Sequence, residues 1–251
     1  MPAMESGIHV VISAEKLGEF WGVPITNTLV MSWVVIGLLA VVAVVVGGGI
    51  KMIPSRFQTL LEWAIGYVYD YVAEVLESRE LAKKFFPLLM TIFLFIFTSN
   101  FIEFTPGIGS VGFFHPGEFV PLLRSVNTDL NVTLTLALIS FLVIEATGVA
   151  VLGALKYSQK FFNFHSFIGF AVGLVELIGE FARVISLSFR LFGNILAGEV
   201  LIIVATFFVP YLGPTPLMVF ELFIGFLQAA IFALLTLFFI KLAVTDHAEA
   251  H

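Results

Sequence analysis

The sequence contains no cysteine, which removes disulfides, thiolate metal sites, iron–sulfur clusters and thiol nucleophiles together. Charge is also scarce. Only 12% of the 251 residues are Asp, Glu, Lys or Arg, against about 25% in an ordinary soluble domain. The 12 basic residues are scattered and outnumbered by 18 acidic ones, giving a net charge of −6. No basic surface exists for nucleic acid, and that class of function is excluded. No Walker loop, zinc-hydrolase helix or dinucleotide fingerprint occurs. The chain is therefore expected not to be an enzyme on its own and to carry no cofactor or metal. Residues 1–28 lack the basic and short apolar layout of a cleavable signal peptide, so the N-terminus is expected to be retained.

What the sequence has instead is apolar length. Hydrophobic residues make up 59% of the chain, 29 of them Phe, in runs long enough for the ~20 residues that cross a bilayer core. The expected fold is an all-α membrane protein with five membrane helices at about 29–47, 85–104, 130–155, 163–209 and 215–242, forming one polytopic membrane domain. The Phe residues are read as lipid-facing and interhelical packing. The stretch at about 55–82 differs, because its apolar residues recur at helical spacing while Glu62, Asp70, Glu74 and Glu77 fall elsewhere. Four acids are costly in lipid. An amphipathic helix at the membrane surface fits that pattern.

Residues 161–209 are apolar almost throughout yet contain Glu176, Glu180, Arg183, Arg190 and Glu199. A continuous helix of that length would measure about 70 Å, roughly twice the bilayer core. It must tilt strongly, bend or break. With a single crossing, eight of the 12 bases fall on one side and two, Lys16 and Arg124, on the other, leaving Arg183 and Arg190 in the membrane. That count places the N-terminus outside and the C-terminus in the cytoplasm. A hairpin broken at Gly193-Asn194 would divide them seven against three, so charge favours the single crossing only mildly.

A lone base at a helix centre costs about 2.5 to 3.5 kcal/mol on insertion scales, so intramembrane charge is read as functional by default. Glu176, Arg183 and Arg190 are spaced seven apart and form one stripe, which Asn194 continues and Glu180 flanks. Glu199 comes out near the opposite side of the helix and should serve a different cavity. On the last helix Glu221 lies outward and Gln228 deeper. Carboxylates can relay protons through water, whereas a guanidinium with a pKa above about 12 cannot usefully release one. Arg190 thus divides two half-paths, and a proton could pass only on a carboxylate carried by another, movable element. For Arg183, simple pairing with Glu176 or Glu180 is the competing structural explanation.

The run Ser186-Leu187-Ser188-Phe189-Arg190-Leu191-Phe192-Gly193-Asn194-Ile195-Leu196-Ala197-Gly198-Glu199 resembles the signature of subunit a of the F-type ATP synthase membrane sector, as does Phe226-Leu227-Gln228-Ala229-Ala230-Ile231-Phe232. The resemblance implies a long, steeply tilted penultimate helix that forms, with the last one, a hairpin curved against a rotating c-ring. It implies that Arg190 faces the ring carboxylate and blocks a short circuit between two aqueous half-channels. Glu199 and Gln228 match positions at the outer half-channel, and Glu176 matches one at the cytoplasmic half-channel. Some members of the family carry His where this chain has Glu221. Asn100, Glu103, Asp129 and Asn131 resemble polar positions near the outer ends of the second and third spans. The implied partners are the c-ring, peripheral-stalk b-type subunits and the whole F1Fo complex, with protons as the ion, the bilayer as solvent and nucleotide chemistry on other subunits. The implied location is a bacterial plasma membrane. A stand-alone secondary transporter is the competing function, but it calls for unwound helix centres and usually internal symmetry, neither of which is read here. The alternating tail His247, Glu249 and His251 is read as a frayed terminus rather than a metal site.

Overall fold

The computed structural model describes residues 14–20, 22–103, 112–115, 118–161, 167–210 and 212–245. His247, Glu249 and His251 lie outside them. Five of its helices are long and apolar enough to cross a membrane: α1 (Asn27–Gly48), α3 (Arg79–Glu103), α4 (Leu130–Leu152), α6 (Phe167–Phe208) and α7 (Pro214–Val244). Two others, α2 (Arg56–Leu76) and α5 (Ala154–Phe161), are amphipathic and lie between spans. Two antiparallel hairpins, β1 (Lys16–Phe20) with β2 (Val23–Thr26) and β3 (Gly112–His115) with β4 (Glu118–Pro121), precede α1 and separate α3 from α4. They define a hairpin end of the molecule. The opposite, basic end carries the α2–α3 turn, α5 and the last turn of α7.

The helix ends follow from local chemistry. Thr26, Ser55 and Asp129 cap α1, α2 and α4 by accepting from the backbone N–H of Leu29, Gln58 and Asn131, which satisfies donors that a helix start otherwise leaves without partners. The stretch expected as one surface helix at 55–82 divides instead. Glu77 adopts a left-handed conformation at φ 52°, ending α2, and the Ser78 hydroxyl accepts from the N–H of Leu81 to start α3. The membrane helix thus begins six residues earlier than the expected span at 85. Lys241 on α7 holds that turn through a 3.1 Å ion pair to Glu77.

The 42 residues of α6 are one uninterrupted helix, about 63 Å long at 1.5 Å per residue. There is no break at Gly193-Asn194, because neither residue leaves the helical ladder. Helices α3, α4, α6 and α7 make the bundle, with α3 against α7, α4 against α6, and α6 against α7. One core at the basic end joins Leu76, Phe85, Ile144, Leu237 and Ile240, and a second at mid-height joins Ile96, Ala137, Leu187, Leu191 and Phe232. Helix α1 packs on this bundle through its first half, where Met31 and Val35, flanked by Leu39, pack on Val126. Beyond Val35 none of its residues is buried. A helix apolar all round is stable in that position because lipid, not water, is its solvent.

Candidate functional site

Arg190 stands on the outward face of α6. The inward face is formed by Val184, Leu187, Leu191 and Ile195, all buried in the bundle. On the same side the Ser188 hydroxyl shares a 3.1 Å hydrogen bond with Thr133 of α4, which fixes the rotation of α6 about its axis. With that face inward, Arg190 must point out. Its Nη2 donates to the Ser186 hydroxyl one turn earlier at 3.4 Å, and among the described residues no carboxylate pairs with it. Gly179, Ala182, Ser186, Gly193 and Ala197 lie within about 80° of it around the helix. A Cβ at Gly179 or Gly193 would meet nothing within 4 Å, so the guanidinium lies in a shallow groove of small side chains. A permanent charge at a lipid-side surface requires a counter-charge or water.

On the other side of α6, at the hairpin end, carboxylates converge from three helices. Glu199 of α6 lies 3.9 Å from the Arg124 guanidinium, whose side chain is only 10% exposed. Glu103, the last residue of α3, accepts from the Ser125 hydroxyl at 2.8 Å and lies within electrostatic reach of Glu199, Glu221 and Arg124. Glu221 of α7 is buried, its carboxyl lodged against Gly198, where any Cβ would overlap it. The glycine is thus required by a close approach. Glu221 thus lies against the residue that precedes Glu199, and Glu103 lies within electrostatic reach of both acids. Gln228 is buried two turns further along α7. Asn194, half-buried, lies between the Arg190 face and the bundle.

At the basic end Glu180 is buried and accepts a 2.8 Å charge-assisted hydrogen bond from Arg183 Nη1. The Arg183 guanidinium also lies over the Phe239 ring at 4.9 Å. Arg183 therefore turns toward the bundle, although it shares a helical stripe with Arg190. Glu176 is half-buried one turn before Glu180.

The remaining polar positions have structural partners. Asn100 donates to the Gly225 carbonyl at 3.0 Å and accepts from Asn127 at 2.6 Å, joining α3 to α7. Asp129 accepts from the Thr28 hydroxyl at 2.8 Å, from the Asn131 N–H at 2.9 Å and from the Asn131 side chain at 3.0 Å, joining α1 to the start of α4. Of the polar residues Asn100, Glu103, Asp129 and Asn131 only Glu103 belongs to the carboxylate cluster. Arg124 was not singled out from the sequence. It is one of two bases at an end otherwise poor in them, and that rarity is the signal that could have identified it.

The fold and this charge pattern define a polytopic, all-α membrane protein of the ion-translocating kind, with ionisable groups along one overlong helix. The chain belongs to the ATP synthase A chain family, subunit a of F-type ATP synthases: the family model matches residues 29–241. Similar proteins include ATP synthase subunit a of Syntrophobacter fumaroxidans, 34% identical over 97% of this chain and 94% of the relative. That of Geotalea daltonii is 32% identical over 86% of each. A sodium-ion-specific ATP synthase subunit a of Propionigenium modestum is 30% identical over 98% of this chain and 83% of that one.

Proposed function

We propose that this chain is the proton-translocating stator subunit of a rotary ATP synthase, with two offset aqueous half-channels separated by Arg190. The observation that carries the proposal is the guanidinium on the outward face of α6 with no acid beside it among the described residues. The missing counter-charge is supplied by a carboxylate on each c-ring subunit as it passes the small-residue groove. A proton enters at the hairpin end through Glu103, Glu199 and Glu221, with Gln228 and Asn194 deeper along the path. It neutralises the ring carboxylate, which then enters lipid. After a turn of the ring that carboxylate releases its proton toward Glu176 and Glu180 at the basic end, and the anion returns to Arg190. The guanidinium attracts the ionised site, yet cannot itself pass the proton on. Ions therefore cross only with rotation.

In this reading the hairpin end and the N-terminus face the outside of a bacterial plasma membrane and the basic end faces the cytoplasm. Peripheral-stalk b-type subunits hold the chain against the torque, and the whole F1Fo complex supplies the nucleotide chemistry. A self-contained secondary transporter would use helices broken near the midplane, whereas α6 and α7 run unbroken. The test is Arg190→Ala in the assembled complex. ATP-driven proton pumping should be lost while assembly is retained; normal coupled pumping would overturn the proposal.

A further inference from the structure

The short helix α5 follows the left-handed turn at Gly153, φ 82°, and packs on both α4 and α6. Among its described side chains Tyr157 is the buried one, at 5% exposure. The ring lies on Gly148 of α4 so closely that a Cβ there would overlap it, and Phe161 meets its edge at 5.7 Å between centroids. Glu145 lies three residues before Gly148 and thus on the same face of α4. The phenol resting on Gly148 lies beside the Glu145 side chain. From α6, Glu176 and Glu180 lie within electrostatic reach of the same hydroxyl, and Arg183 neutralises Glu180. The other described base nearby is Lys156, adjacent on α5. Three acids and a phenol from three helices therefore meet at the basic end, although only two of the acids lie on the long helix.

We propose that Glu145 is a further proton-accepting carboxylate of the basic-end half-channel and that Tyr157 is the positioning residue that holds it toward Glu176 and Glu180. This rests on the half-channel reading given above. The geometry supports a relay: the proton released from the ring passes from the α6 acids to the Glu145 carboxylate and then to water at the surface, and the phenol keeps its own proton throughout. Burial together with the neighbouring Glu145 charge raises the phenol above its ordinary range, which suits a fixed donor rather than a carrier. A tyrosine serving only to clamp α5 onto α4 would need its ring but not its hydroxyl.

The test uses inverted membrane vesicles carrying the whole complex, in which the medium bathes the basic end in the proposed orientation. Tyr157→Phe keeps the ring on Gly148 and removes only the hydroxyl. It should assemble normally and move the midpoint of pumping rate against medium pH upward on the order of half a unit or more, since losing a donor favours the protonated carboxylate. The dependence on lumen pH should not move. Glu145→Gln should slow pumping several-fold, Glu145→Asp should recover part of the loss, and adding Tyr157→Phe to Glu145→Gln should change nothing further. Unchanged medium-pH profiles in both single variants, equal shifts on both sides, or additive losses would overturn the proposal. Arg190→Ala in the same preparation separates the two claims. If it abolishes pumping while Tyr157→Phe and Glu145→Gln match wild type, only the role of Glu145 and Tyr157 falls; if it pumps normally, the half-channel reading itself falls.

Discussion

Arg124, from the segment between β4 and α4, and Glu199, in the hairpin-end half of the longest helix, form an ion pair at 3.9 Å although 75 positions of chain separate them. The same guanidinium acts on Glu103, so one base serves two carboxyl groups from two helices, with Glu221 beside them. Its charge limits how strongly those acids repel one another. Arg124→Gln should lower coupled pumping roughly three- to tenfold, Arg124→Lys less. A double-mutant cycle with Glu199→Gln should return a coupling of about 0.5–3 kcal/mol. Full additivity would show that the two side chains act independently.

Glycines on opposite faces of α6 should respond differently to substitution. At Gly198 a methyl group would collide with the Glu221 carboxyl, so Gly198→Ala should separate α6 from α7, cost about 1–3 kcal/mol and impair transport. Gly193 faces open space, and Gly193→Ala should leave the fold intact. Gly193→Leu would fill the groove beside Arg190 and should reduce co-purification of the ring while the chain itself stays folded. Normal ring recovery with leucine at 193 would argue against docking on this face.

Among the polar residues at the hairpin end, structural and transport roles should separate cleanly. Asp129→Ala removes both the α4 cap and the acceptor for Thr28, and should lower stability by about 1–2 kcal/mol without altering pumping per assembled complex. Glu103→Gln should do the reverse, because the amide can still accept from Ser125 but cannot titrate. Thermal assembly assays and pumping normalised to complex content distinguish the two variants.

Alkali gives a signature of the buried phenol. Since Tyr157 is raised in the folded state, its neutral form favours folding below the unfolded value of about 10, and that contribution is lost as pH rises above it. The stability difference between wild type and Tyr157→Phe should be constant at neutral pH and narrow above about pH 10. A difference that widens there would contradict the burial of the hydroxyl.

Composition and local periodicity determine much of this molecule. The scarcity of charge and the lengths of the apolar runs specify five spans, because a bilayer imposes one length on every crossing. The seven-residue spacing of Glu176, Arg183 and Arg190 specifies a stripe because helical geometry is local. Side-chain direction is not local. Arg183 turns to Glu180 and Phe239 while Arg190, on the same stripe, stays outward, and only the packing of α4 and α7 against α6 distinguishes them. The end of α2 at Glu77 likewise depends on a single left-handed residue for which the sequence carries no glycine signal. Which acids meet is decided by contacts between distant segments: Glu199 with Arg124, Glu103 with Ser125, Glu145 with Tyr157. The chain's sequence lists these residues, but only the tertiary fold brings them together, since convergence depends on how the helices cross and rotate and no periodicity along one helix encodes that.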